Sequence, residues 1–194
     1  MTVEPGRRER KKAETRKAIA DAALELFLAR GFDAVSIREI ADTADVSVAT
    51  LYAYFPSKES LVFDEDDEIR DSLLAAVRDR PEGASIADVL HDWVISFVVE
   101  SHDYESHLND FERLVASAPS LGEYQRGMWG NIASALAATI ASDLGKPGDD
   151  PTILAFAHFV METWTLLDKG GAPTAQVDAV FALLRPGWEQ FARS

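Results

Sequence analysis

Proline and glycine stand far apart in this 194-residue chain, and the segments between them repeat apolar residues three or four positions apart. That spacing builds one apolar stripe along a helix, whereas a strand needs sustained alternation, which no segment shows. The chain therefore reads as all-α, with about nine helices. From Lys12 to Arg30, Ile19, Ala22, Ala23, Leu26 and Phe27 recur at helical spacing, and Gly31 stops the run. Met1 to Arg10 is expected to be an arm. Ser57 is expected to cap a helix reaching Arg80. Further helices are expected over Ser85–His102, Glu105–Ala116, Leu121–Leu144, Thr152–Lys169 and Ala175–Phe191. With 47% apolar and 27% charged residues, the chain has enough to bury a core. It has no cysteine, which excludes disulfides, thiolate metal sites and thiol nucleophiles.

One place carries much denser punctuation. Ser36 can cap a short helix over Ile37, Ile40 and Ala41. Ser47 can cap another over Val48–Tyr54, which Pro56 stops. Only Ala44, Asp45 and Val46 lie between them. Two short helices so joined make a helix-turn-helix, whose second helix enters the major groove of DNA. Val48 and Ala49 are small enough for close approach, and Thr50 or an alanine can meet a thymine methyl. Tyr52, Tyr54 and Lys58 lie toward the end that would face phosphates.

The net charge of −14 speaks against nucleic acid only until it is divided. Residues 1–63 hold ten basic and ten acidic groups, and residues 64–194 hold nine and twenty-three. Arg7, Arg8, Arg10, Lys11, Lys12, Arg16 and Lys17 crowd the first seventeen residues. One end can face a polyanion while the rest repels it, which orients the molecule.

The stretches Ala22-Ala23-Leu24-Glu25-Leu26-Phe27, Arg30-Gly31-Phe32, Ser36-Ile37-Arg38-Glu39-Ile40-Ala41, Val46-Ser47-Val48-Ala49-Thr50-Leu51-Tyr52 and Tyr54-Phe55-Pro56-Ser57-Lys58-Glu59-Ser60-Leu61 follow one another in order. Together they resemble the DNA-binding segment of the TetR family of transcriptional regulators. The resemblance covers residues 16–63 and implies a role for each matching position. Arg38 looks like a base or phosphate contact. Ser47, Val48, Ala49 and Thr50 look like the DNA surface, and Tyr52 like an aromatic DNA contact. Tyr54 looks like a phosphate contact or a packing residue. Lys58 looks like a phosphate anchor at the start of the fourth helix. Asp45 stands where the family usually has glycine, Ala53 is smaller than the usual residue, and Val48 and Ala49 carry no donor. Aspartate tolerates left-handed backbone better than most residues, so the turn should survive.

The expected division is a DNA-binding domain over 1–56 and a ligand-binding and dimerisation domain over 57–194. The latter holds Trp93, Trp129, Trp164 and Trp188. A hydrophobic effector is expected among Trp93, Phe97, Phe111, Tyr124, Met128, Trp129, His158, Met161 and Trp164, since small-molecule pockets are mostly apolar with a few polar groups. Thr152–Leu167 is so continuously apolar that it reads as buried nearly all round. With the final helix it is the expected homodimer seam, through Phe156, Phe159, Val160, Val177, Val180, Phe181, Leu184 and Trp188. A homodimer would read a palindromic DNA operator. No metal or other cofactor is expected, although Asp103/His107 and His158/Glu162 are spaced to share helix faces. An enzyme or a ligand-binding protein without a DNA role is the rival class, but no Walker loop, GxSxG or dinucleotide fingerprint occurs. The charged N-terminus and the absence of a long apolar run make the cytoplasm the expected location.

Overall fold

The computed structural model describes residues 6–64, 66–102, 105–166 and 172–193, with side chains given outside 100–109. Nine α-helices and two 3₁₀ turns account for the regular structure of these residues, with no strand among them, as the sequence spacing predicts. The chain divides into two compact units. The first comprises Met1–Asp64 with Ser106–Gln125, and the second Glu65–Glu105 with Arg126–Ser194.

In the first unit, α1 (Arg7–Arg30) packs on α2 (Ile37–Thr43), and α2 packs on α3 (Val48–Tyr54). The described part of the expected arm is helical. Gly6 N–H donates to the Glu9 carboxylate at 3.0 Å, and an acid in the first turn suits the positive end of a helix. Ile19, Ala23, Phe27, Phe32, Val35, Ile40, Leu51 and Phe55 are all buried, with the Phe27 and Phe32 rings 5.0 Å apart. Phe63 stacks on Tyr124 with centroids 5.2 Å apart and meets Phe111 edge-on at 5.6 Å. Phe111 lies on α6 (Glu105–Ser117) and Tyr124 in the opening turns of α7 (Pro119–Leu144).

The helix expected from Ser57 to Arg80 is broken. A 3₁₀ turn, Glu59–Leu61, comes first, and α4 covers Asp66–Arg78. The cause is local. Ser57 and Ser60 exchange hydrogen bonds at 3.2 and 3.3 Å, and Ser60 Oγ donates to the Ser57 carbonyl at 2.8 Å, closing a single turn. Leu61, Val62 and Phe63 are all buried, which one face of a continuous helix cannot manage. Asp66, Asp67 and Glu68 then open a new helix at its favourable end.

In the second unit, α5 (Ile86–His102) packs against α4 and α9 (Pro173–Ala192), and α8 (Pro151–Glu162) also meets α9. Its core joins Leu73 and Val77 to Leu90, Val94, Ile132, Leu136, Ile140, Ile153, Val160 and Phe181. Asp150 caps α8 by accepting from the Thr152 and Ile153 N–H groups, and Pro151 occupies the first turn, where its missing donor costs nothing. The α-helix of the apolar run ends at Glu162 and tightens into a 3₁₀ turn at Thr163–Leu166; the expected helix over 167–169 lies outside the described residues. Arg80 binds Asp143 through two bonds, at 2.6 and 2.8 Å, while donating to the carbonyls of Val77 and Ala84. The ion pair holds the Arg80 guanidinium above, and the Asp143 carboxyl below, its ordinary pKa, chiefly through their mutual hydrogen bonds.

Burial corrects the expected dimer seam. Phe156, Val160, Val177, Phe181 and Trp188 lie in the core of one chain and have little or no surface to offer another. Trp188 stacks on Phe156 with centroids 4.0 Å apart. Nor is α8 buried all round: Leu154 is 43% exposed and Phe159 54%. Apolar composition alone hides this, because only the stripe Ile153, Phe156, Ala157, Val160 and Met161 turns inward. Val180 and Leu184 are half-buried.

Candidate nucleic-acid interface and aromatic cluster

The helix-turn-helix is held by its own polar groups. Ser36 Oγ accepts from the Glu39 N–H, and the Glu39 carboxylate accepts from the Ser36 N–H at 2.8 Å. Arg30 reaches the same carboxylate at 2.8 Å. The Ser36 backbone bond, then the Ser36 hydroxyl and Arg30, lower the Glu39 pKa from 4.5 to about 2. The Ser-x-x-Glu spacing announces this reciprocal cap.

The turn after α2 is a left-handed helix stop. Val46 N–H donates to Ala41 O at 2.9 Å and Asp45 N–H to Asp42 O at 3.3 Å, with Asp45 at φ 53°. Asp45 thus takes the position usually given to glycine, as the sequence predicts. Ser47 then caps α3: its Oγ accepts from Thr50 N–H at 3.0 Å and lies 2.8 Å from Thr50 Oγ1. Val48, Ala49, Tyr52 and Ala53 form the exposed face of α3, with Tyr52 49% exposed, while Leu51 is its buried anchor. Arg38 is exposed on α2, and Thr50 and Tyr54 are half-buried. Arg7, Arg8, Arg10, Lys11 and Lys12 are all exposed on α1.

Arg16 braces the far end of α3, and Lys58 holds the segment that follows α1. Arg16 donates to the Tyr54 carbonyl at 3.1 Å and to the Asp64 carbonyl at 3.0 Å, pairs with the Asp64 carboxylate at 2.8 Å, and lies 4.5 Å over the Phe55 ring. Its partners stand 38 and 48 positions away, so no local pattern distinguishes Arg16 from the basic residues around it. Lys58 donates to the Phe32 carbonyl at 2.6 Å, with its ammonium 4.3 Å from the Phe32 centroid and 5.6 Å from that of Phe27. It precedes the 3₁₀ turn rather than starting α4, which corrects its expected place.

The second unit gathers Trp93, Phe97, Trp129 and Trp164, all half-buried. Trp164 lies at the centre: 4.8 Å from Phe97 and 6.1 Å from Trp93, both edge-on, and 6.5 Å from Trp129, nearly parallel. Met128 and Met161 belong to the same core. Trp188 does not join this group, and Phe111 and Tyr124 pack in the first unit with Phe63. His158 is exposed on α8, 3.7 Å from Glu162, and does not line this cluster as expected. The side chains of the other metal candidates, Asp103 and His107, lie outside the described residues. Among the described residues no three His, Asp or Glu side chains could share a metal ion, and no helix is long and apolar enough to cross a membrane.

The family model for bacterial regulatory proteins of the tetR family matches residues 19–64, the segment just described. The chain is 32% identical over 150 residues to the HTH-type transcriptional regulator TcmR of Streptomyces glaucescens, covering 72% of this chain and 66%, just under two thirds, of that protein. It is 31% identical over 179 residues to the HTH-type transcriptional regulator RutR of Escherichia coli K12, covering 90% and 82%. The crystal structure of a TetR-family regulator from Streptomyces coelicolor shares the fold over 100% of both chains, with a TM-score of 0.59 at 22% identity. The capped pair of helices around Asp45 and the match to RutR over most of both lengths place them in one group: this chain belongs to the TetR family of bacterial transcriptional regulators.

Proposed function

We propose that the protein is a homodimeric repressor that reads a palindromic operator with α3 and is released by a hydrophobic small molecule bound in the second unit. The exposed face of α3 carries this reading. Val48, Ala49, Tyr52 and Ala53 stand out from a short helix capped by Ser47 and braced by Arg16. Such a face suits the major groove, where small side chains permit close approach and Thr50 or an alanine meets a thymine methyl. Arg38, Tyr52, Tyr54, Lys58 and the basic turns of α1 supply the surrounding polar contacts. Two recognition helices must lie one helical turn of DNA apart, about 34–36 Å, to engage both half-sites. An effector that favours another spacing by a few kcal/mol releases the operator. Selection from a random duplex pool with the full-length chain tests this. The expected product is a palindrome bound tightly at low salt and released at high salt. Equal affinity for all duplexes would overturn it.

A further inference from the structure

Trp164 holds a donor with no acceptor among the described residues. Among the described residues its Nε1 is buried and donates to no acceptor. Its neighbour Trp93 has the ordinary arrangement, with Nε1 donating to Ser72 Oγ at 3.1 Å. An indole nitrogen only donates, so its partner has to be an acceptor. A buried N–H left unpaired is unfavourable, and phenylalanine would fill much of the same space without it. Local backbone directs the ring: α8 tightens to a 3₁₀ turn at Thr163, whose Oγ1 donates to the Phe159 carbonyl at 3.1 Å. Around the indole stand Trp93, Phe97 and Trp129, each half-buried, so the group meets solvent while keeping flat apolar faces together.

We propose that the effector is a planar, uncharged aromatic compound whose carbonyl oxygen accepts the Trp164 Nε1–H. The inference rests on the effector reading above. Flat rings suit the faces and edges of the cluster. A neutral carbonyl suits a single neutral N–H, because desolvating a carboxylate costs more than one such bond returns.

Acetonaphthone and ethylnaphthalene, nearly equal in shape, differ by the carbonyl and serve as probes of the full-length protein. Proton–nitrogen correlation spectra follow the four indole N–H signals, with Trp164→Phe assigning one. Acetonaphthone should move the Trp164 signal downfield and bind about tenfold more tightly than ethylnaphthalene, the value of one net hydrogen bond. In Trp164→Phe the two probes should bind alike, with thermal unfolding showing that the variant is folded. Equal binding of both probes to the native chain, with other indole signals moving and that of Trp164 still, would overturn the acceptor role and leave the effector site standing. No binding of either probe would overturn both.

Discussion

Arg16, in the second half of α1's first dozen residues, donates to the carbonyl of Tyr54, the last residue of the recognition helix. The same guanidinium holds Asp64 through both its carbonyl and its carboxylate. A cation at a helix C-terminus meets unpaired carbonyls and the negative end of the dipole together. Arg16 therefore holds the end of α3 through contacts within the protein. Arg16→Ala should cost about 1–2 kcal/mol, the lower part of the range for charged hydrogen bonds because solvent reaches the pair. That corresponds to a melting temperature lower by about 2–8 °C. Operator affinity should fall while its salt dependence stays unchanged, since no phosphate contact is removed. A shallower salt slope in this variant would place Arg16 on the DNA instead.

Lys58 is proposed to combine an internal bond with a phosphate contact in one side chain. The Phe32 carbonyl takes one donor of its ammonium, which carries three. Lys58→Ala should weaken binding to every duplex and lower the salt slope by about one. It should also lower the melting temperature, which loss of a phosphate contact alone would not do. Replacing Arg38 or Thr50 should instead change the preferred sequence, by about 1–3 kcal/mol for a base-edge contact. An unchanged slope in Lys58→Ala would confine the lysine to its internal bond.

Asp45 offers a stabilising change. At φ 53° a side chain crowds its own backbone, and aspartate suffers less than most but more than glycine. Asp45→Gly should add about 0.5–1 kcal/mol and raise the melting temperature by about 1–4 °C. Asp45→Val should lower it, because a β-branched residue resists this conformation. Equal melting temperatures for all three proteins would remove the strain argument.

Glu39 gives the helix-turn-helix a pH dependence of known sign. Its folded pKa of about 2 lies below the ordinary 4.5, so its contribution is present above pH 4.5 and is lost as pH falls toward 2. Thermal unfolding of the native chain and Glu39→Gln should differ at neutral pH, with the native chain higher, and the gap should close across that interval. A gap that persists unchanged at pH 2 would show that the charge is not its source.

These residues also show what a linear sequence makes visible. Ser36, Asp45 and Ser47 act on backbone within a few positions, so their roles follow from spacing, and the helix-turn-helix is legible with them. Arg16 acts across the fold and looks like its neighbours until Tyr54 and Asp64 are brought beside it. In the second unit, nearly continuous apolar sequence in α8 conceals which side faces inward, because every position satisfies the hydrophobic pattern. The break between Ser57 and α4 was written in two serines three apart, but the same spacing also suits a helix cap, and only the burial of Leu61, Val62 and Phe63 decides between them.

The outward faces of α8 and α9 carry apolar side chains. Leu154 and Phe159 on α8, and Leu183 on α9 at 83% exposure, are large apolar groups left in water by a single chain. Ala155, Ala179 and Ala182 are exposed on the same two helices and would let partner helices approach closely. A proposed four-helix seam of two such pairs should bury about 2,000 Å² or more, as stable homodimers commonly do. Phe159→Glu and Leu183→Glu would each set two like charges near the two-fold axis or rim of that seam. They should yield folded monomers by sedimentation, with helical content unchanged and operator affinity much reduced, since one chain reads one half-site. Phe181→Ala makes the contrast. Its ring is fully buried in its own chain, so truncation should cost about 3–5 kcal/mol of stability and leave the mass of the folded protein that of a dimer. A native chain that sediments as a monomer at micromolar concentration would defeat the dimer; a dimer that survives both glutamate variants would move its seam to another face.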